Sequence, residues 1–187
     1  MAEIRTRTLV IILAAVFGPL LIWILLDILI VTDSHRIEAM CEQMVLATEA
    51  EDPRGMVRFI AENYSYEGLT RDDLRALAER YFTLYGDTTA TITTSTVNVQ
   101  GALASADVVV AVRSANGEFS GYPVPTRWRL VFARRSENVS TPKGRRVAWV
   151  WRIIEIQPVA VGRVNVDGWR SIVERLGSPA RPGPRKQ

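Results

Sequence analysis

TRDDLRALAERYFTLYGDTTATITTSTVNV, residues Thr70 to Val99, contains the change of period on which the fold turns. In its first half Leu74, Leu77, Ala78, Tyr81, Phe82 and Tyr85 recur at the i, i+3, i+4, i+7 spacing of one helical face. Thr70-Arg71-Asp72-Asp73 reads as a capping box with Asp in place of Glu, and Gly86 stops the helix. From Thr88 the residues become Thr, Val and Ile, whose branched side chains suit a pleated surface better than a helix.

Upstream of this switch the spacing predicts two further helices. Ile37, Met40, Cys41 and Met44 form one face between Ser34 and Ala50, with Ser34 or Asp33 as the cap. Asp52 then caps a second helix with Pro53 at its first position and Met56, Val57, Phe59 and Ile60 as its buried side; it ends before Tyr64-Ser65-Tyr66-Glu67-Gly68. Downstream, strands are expected near 89–99, 103–114, 120–135 and 145–158, with a hairpin turn at Ala115-Asn116-Gly117 and a polar loop over Ser136–Gly144. Three helices followed by four antiparallel strands define an α+β domain, helices on one face of the sheet.

Parity along the strands assigns the faces. Trp128, Leu130 and Phe132 share one side, Arg127 and Arg129 the other. Strict alternation in the last strand puts Trp149, Trp151, Ile153 and Glu155 together, against Val150, Arg152, Ile154 and Ile156. Apolar groups on both sides call for two covers: the helical layer, and either a second subunit or a closing helix bearing Trp169, Ile172, Val173 and Leu176 after Asp167.

Residues 9–31, LVIILAAVFGPLLIWILLDILIV, carry one charge, Asp27. At 1.5 Å per residue they reach about 34 Å, enough for a bilayer core of about 30 Å. The run is too long for a cleavable leader and lacks an A-x-A-like site after it, so it reads as an uncleaved signal anchor. Arg5 and Arg7 precede it, which places residues 1–8 in the cytoplasm and the domain, 34–177, outside, the arrangement of an inner-membrane protein with a periplasmic domain. Gly18-Pro19 bends the span, and Asp27 either reaches interfacial water or pairs with another membrane helix. Residues 178–187 are Pro-rich and basic, with no apolar face to bury, and are expected to be disordered.

The formal charge of +3 is unevenly spread, −5 over residues 34–88 and +6 over 89–177. It marks a polarised domain, not a nucleic-acid binder, and an extracytoplasmic location disfavours nucleic acid as well. One cysteine, Cys41, excludes an internal disulfide or a cysteine zinc site, and one histidine, His35, excludes sites needing two. No metal or cofactor motif is present. Asn138-Val139-Ser140 fits a glycosylation acceptor, relevant only in a eukaryotic secretory pathway.

The stretch EDPRGMVRFIAENYSYEGLTRDDLRALAERYF (51–82), the alternating Thr/Val strands, RWRLVF (127–132) and the closing VWRIIEI (150–156) together resemble the nuclear transport factor 2-like (SnoaL-like) superfamily over roughly residues 36–158. The resemblance implies a cone-shaped domain in which a bent, cystatin-like sheet wraps helices around a pocket, and it implies frequent dimers. Enzymes of that superfamily include ketosteroid isomerase-like and polyketide cyclase-like proteins, which use a carboxylate base in an apolar pocket, and scytalone dehydratase-like ones, which use His with Asp. This chain departs from both patterns. His35 lies at the membrane junction, and Asp107 has the parity opposite to Val108, Val110 and Val112, so no catalytic residue is carried over.

The candidate pocket residues are Tyr81, Phe82, Trp128, Trp149, Trp151 and Glu155, and a basic edge comprises Arg127, Arg129, Arg134, Arg135, Arg145 and Arg146. Two functions are open. One is a membrane-anchored, noncatalytic binding or assembly domain with a homodimeric or membrane-complex partner. The other is an isomerase, cyclase, hydrolase or carrier acting on a small apolar ligand.

Overall fold

A computed structural model describes residues 32–141 and 144–176. The expected membrane span, 9–31, and the basic tail, 178–187, lie outside the described residues. Among the described residues no helix is long and apolar enough to cross a membrane. The chain divides into two compact units, Met1–Arg36 and Ile37–Gln187. Of the first, only its last turn is described: the Arg36 amide donates to the Thr32 carbonyl, and the Arg36 guanidinium lies 3.5 Å from Asp33.

The helical layer follows the apolar spacing. Helix α1 (Asp33–Glu49) buries Ile37 and Cys41. Helix α2 (Pro53–Val57) begins at Asp52, whose side chain accepts from the Arg54 amide. It is a single turn of 5 residues, shorter than the spacing predicts. The chain beyond it leaves the helix because residues 59–61 pair with a strand edge. Ile153 donates its amide to the Phe59 carbonyl and accepts from the Ala61 amide, each at 2.9 Å. Two buried backbone groups of Ile153 are thereby satisfied, which one more helical turn would leave open.

A short hairpin then forms from β1 (Ser65–Tyr66) and β2 (Leu69–Thr70). Its central residues, Glu67 and Gly68, have φ of 50° and 78°, the doubly left-handed pair that a tight two-residue turn demands. Helix α3 (Arg71–Tyr85) has the capping box read from its sequence: Thr70 Oγ1 accepts from the Asp73 amide while Asp73 Oδ2 accepts from the Thr70 amide at 2.8 Å.

The main sheet runs in the order β3 (Thr89–Gln100), β4 (Leu103–Arg113), β5 (Val124–Thr141), β6 (Gly144–Val161) and β7 (Val164–Asn165), every neighbour antiparallel. It has five strands where four were expected, β7 being a two-residue addition. A 3-10 turn at Gly117–Phe119 replaces the expected tight hairpin before β5. Helix α4 (Gly168–Leu176) closes the domain, as the spacing of Trp169, Ile172 and Leu176 suggests.

Two corrections to the strand reading matter for function. Residues 136–141 are not a loop: β5 runs to Thr141 and β6 begins at Gly144, pairing Ser136 with Trp149 and Asn138 with Val147. Because β4 leaves β5 at Ala133, this part is a two-stranded ribbon in which Ser, Asn and Arg stay solvated while the ladder holds the backbone. Register in the same pair also shifts between Val131 and Phe132, which face Glu155 and Ile153, so Ile154 is an extra bulged residue. The bulge reverses the parity of β6. Trp151, Ile153 and Ile156 all face the core, and Glu155 turns to the other side. The apolar groups that seemed to lie on both faces are thus largely one set, and this strand does not itself require a second cover.

Further bulges at Ile92/Thr94 and Arg127/Trp128 add twist and curl the sheet. Ala106, Phe132 and Ile153, all fully buried, mark the deepest part of the core. Side chains as large as Phe132 and Ile153 each contribute about 1.5–3 kcal/mol by leaving water.

Candidate functional site: an apolar cavity under the sheet

Between the helices and the inner face of the sheet lies a cavity of about 280 Å³. Helix α1 contributes Cys41, Met44, Val45 and Thr48, and α3 contributes Leu77, Ala78, Tyr81 and Tyr85. The sheet supplies Val108, Val110, Val112, Trp128 and Ile156, the inward parity read from the sequence for the valines and Trp128. Trp169, Ile172 and Leu176 of α4 form the remaining wall.

Aromatic rings gather at two places. Tyr81 and Tyr85 lie 4.8 Å apart by ring centres, and Phe119 meets Tyr85 edge-on at 5.5 Å. Gly117 makes this possible: it has φ of +75°, and a side chain there would overlap the Tyr85 ring. Trp128 and Trp169 lie tilted against each other, 5.8 Å apart by ring centres.

The polar atoms of Thr48, Tyr81, Thr126, Trp128 and Trp169 on the wall are bonded within the protein. Trp169 Nε1 donates to the Ile156 carbonyl at 2.7 Å. Trp128 Nε1 donates to Thr126 Oγ1 at 3.0 Å, and that hydroxyl donates to the Val110 carbonyl at 2.9 Å. Tyr81 shares a 2.8 Å hydrogen bond with Ser114, and the Thr48 hydroxyl donates to the Met44 carbonyl. No Asp, Glu, His, Lys or Arg is among the described residues of the wall. The Cys41 thiol is pushed up to about 12, by burial first and by Glu38 second, so it stays protonated at physiological pH. Such a surface can hold an apolar molecule by contact; it offers no charge.

Of the six pocket candidates, Tyr81 and Trp128 stand on the wall. Phe82 is buried behind it, edge-on to Tyr81 at 5.6 Å. Trp151 is a core residue, and Trp149 lies out on the ribbon, 64% exposed, with the Arg134 guanidinium 6.0 Å from its ring. Glu155, carried outward by the bulge, accepts a hydrogen bond from Gln157. Asp107 faces outward as its parity predicts and pairs with Arg129 at 2.9 Å.

The basic edge divides between the two faces. Register puts Arg127, Arg129, Arg135 and Arg146 on the outer side and Arg134 and Arg145 on the inner side of the ribbon. Cys41, Tyr85, Phe119 and Trp169 are wall residues that the sequence did not single out for a pocket. For Tyr85 and Trp169 the signal was there, as the i+4 neighbour of Tyr81 and the first apolar residue of the closing helix. Among the described residues no group of His, Cys, Asp and Glu could hold a metal ion.

Helices on one face of a curled antiparallel sheet, with a pocket between them, are the arrangement of nuclear transport factor 2-like α+β folds. Two solved structures share the fold. The fold matches a nuclear transport factor 2-like protein of unknown function from Pseudomonas putida with a TM-score of 0.51 at 16% identity, covering 68% of this chain and 87% of that one. It matches a candidate calcium/calmodulin dependent protein kinase II association domain from Xanthomonas campestris with a TM-score of 0.50 at 14% identity, covering 71% and 91%. A third match, to a nuclear transport factor 2-like protein with a cystatin-like fold from Novosphingobium aromaticivorans, has a TM-score of 0.45 at 19% identity over 64% and 76%. No family model and no curated protein matches the sequence. At these identities the likeness is one of fold.

Proposed function

We propose that the chain is a single-span membrane protein whose nuclear transport factor 2-like domain, held outside the cytoplasm, binds a small apolar molecule and does not turn it over by acid–base chemistry. The observation that carries the binding reading is the wall itself: residues from α1, α3, the sheet and α4 line a half-open pocket with no described carboxylate, imidazole, amine or guanidinium. An isomerase or cyclase of this fold needs a base beside the substrate. The two carboxylates with a claim to that role, Asp107 and Glu155, sit on the opposite face of the sheet. The anchor reading is supported by the long apolar run at 9–31 and the arginines before it. A homodimer or a membrane-complex partner is part of the same proposal, the basic outer face offering charge to an acidic surface.

The test is made on native membranes. Carbonate washing should leave the tagged chain in the pellet, and protease added to spheroplasts should remove the domain while sparing residues 1–8. Release by carbonate, or recovery of a mature form lacking the first thirty or so residues, overturns the anchor. Turnover abolished by Glu155→Gln or Asp107→Asn would favour the enzyme.

A further inference from the structure

The cavity restricts its occupant by volume, charge and hydrogen bonding at once. We infer that this occupant is an uncharged, hydrocarbon-like molecule of about eleven non-hydrogen atoms, an inference that rests on the ligand-binding reading above.

Volume sets the size. A dry apolar cavity of about 150 Å³ takes one benzene. The cavity here, about 280 Å³, takes a little under twice that. The pocket is half open, so a steroid or a long acyl chain would enter it only in part and leave the rest outside the apolar wall.

Charge sets the ionisation state. An ionised group brought to this wall loses its water and meets no described counter-charge, which costs far more than the contacts return. The one thiol on the wall, Cys41, is itself held in the neutral form.

Hydrogen bonding sets the polarity. Thr48, Tyr81, Thr126, Trp128 and Trp169 all have polar atoms at or beside the wall, and each is bonded within the protein. The N–H and O–H donors of Thr48, Thr126, Trp128 and Trp169 are already spent within the protein, so a ligand carbonyl would have to break one of these bonds to find a donor there. Two methionines, Met44 and Met56, and the aromatic groups at both places give instead a deformable, polarisable surface that accommodates rings or branched hydrocarbon.

Two probes of matched skeleton test this on the full chain in lipid nanodiscs. One is p-cymene; the other is 4-isopropylbenzoate, in which a carboxylate replaces the ring methyl. Cys41 is the single cysteine of the chain and lies on the wall, so its alkylation by N-ethylmaleimide at alkaline pH reports occupancy. The unfolding midpoint, which rises when a ligand binds the folded state, gives a readout independent of the thiol. p-Cymene should slow alkylation by about tenfold and raise the midpoint, whereas 4-isopropylbenzoate should change the rate by less than about twofold. Partition of p-cymene into lipid works against this result, so it cannot produce it. Equal protection by both probes overturns the inference and leaves the binding reading standing. Protection by neither, with a larger or ionised molecule co-purifying, does the same. Protection by neither, with nothing co-purifying, takes the binding reading down as well.

Discussion

Replacing Ala78 by Leu should make the domain more stable and its cavity useless. Ala78 lies on the wall, on the face of α3 that carries Leu77 and Tyr81. The substitution sends three more carbons into the empty volume, with little change in helix propensity. At about 0.8 kcal/mol per buried CH₂ the gain is about 2 kcal/mol. Loss of leucine rotamer freedom returns about 0.5–1 kcal/mol. A net stabilisation of about 1.5 kcal/mol corresponds to a midpoint about 3–6 °C higher for a domain of this size. Thermal unfolding followed by circular dichroism gives that number, and denaturant titration checks it through the midpoint at constant slope. Protection of Cys41 by p-cymene should be lost in the same protein. A variant destabilised by more than about 1 kcal/mol would mean that the space is already packed and that the leucine strains it. A stabilised variant that still protects Cys41 would mean that the probe binds elsewhere.

Three further outcomes follow from the same structure. Trp169→Phe leaves the Ile156 carbonyl without its indole donor inside the domain, so the unfolding free energy should fall by about 1–3 kcal/mol, with faster amide exchange concentrated in α4. Glu137 is held below the usual carboxylate range, chiefly by its hydrogen bond from Arg152 and against the opposing effect of burial. A depressed carboxyl stabilises the fold above its unfolded pKa and loses that contribution as pH falls through the folded value; Glu137→Gln should therefore flatten the decline in unfolding midpoint measured below about pH 4.5. Asp107→Asn and Glu155→Gln both change the outer face, and neither should alter the rate of Cys41 alkylation with or without p-cymene by more than about twofold.

How much of this was legible in the sequence depends on whether local chemistry or distant contacts decide each feature. The α3 stripe, its Thr70–Asp73 cap and the inward parity of Trp128, Leu130 and Phe132 are set within a few residues, and all three hold. The bulge at Ile154 has no such signature. It lies in an Ile153-Ile154 pair where either residue could face the core, and only the pairing of β5 with β6 decides which does. That one residue moves Glu155 out of the pocket and Ile156 into its wall. The early end of α2 is likewise a long-range effect, because Ile153, nearly a hundred positions later, supplies the partners that residues 59–61 take. The ribbon was hidden by composition: Ser136 and Asn138 are loop residues by type, yet a ladder needs only their backbones. As for the cavity, Tyr81 and Trp128 were accessible as aromatic residues on inward faces. Phe119, Cys41 and Trp169 reach the same space from a turn and two distant helices, an assembly that no local spacing encodes.

The measurement that bears most directly on the account is native mass spectrometry of the full chain released from its own membranes, with the bound fraction extracted and analysed in parallel. The account predicts a retained molecule of about 150 Da, by the size that the cavity allows, that is uncharged at neutral pH. A domain that is folded, fully empty and unable to take up p-cymene would contradict it.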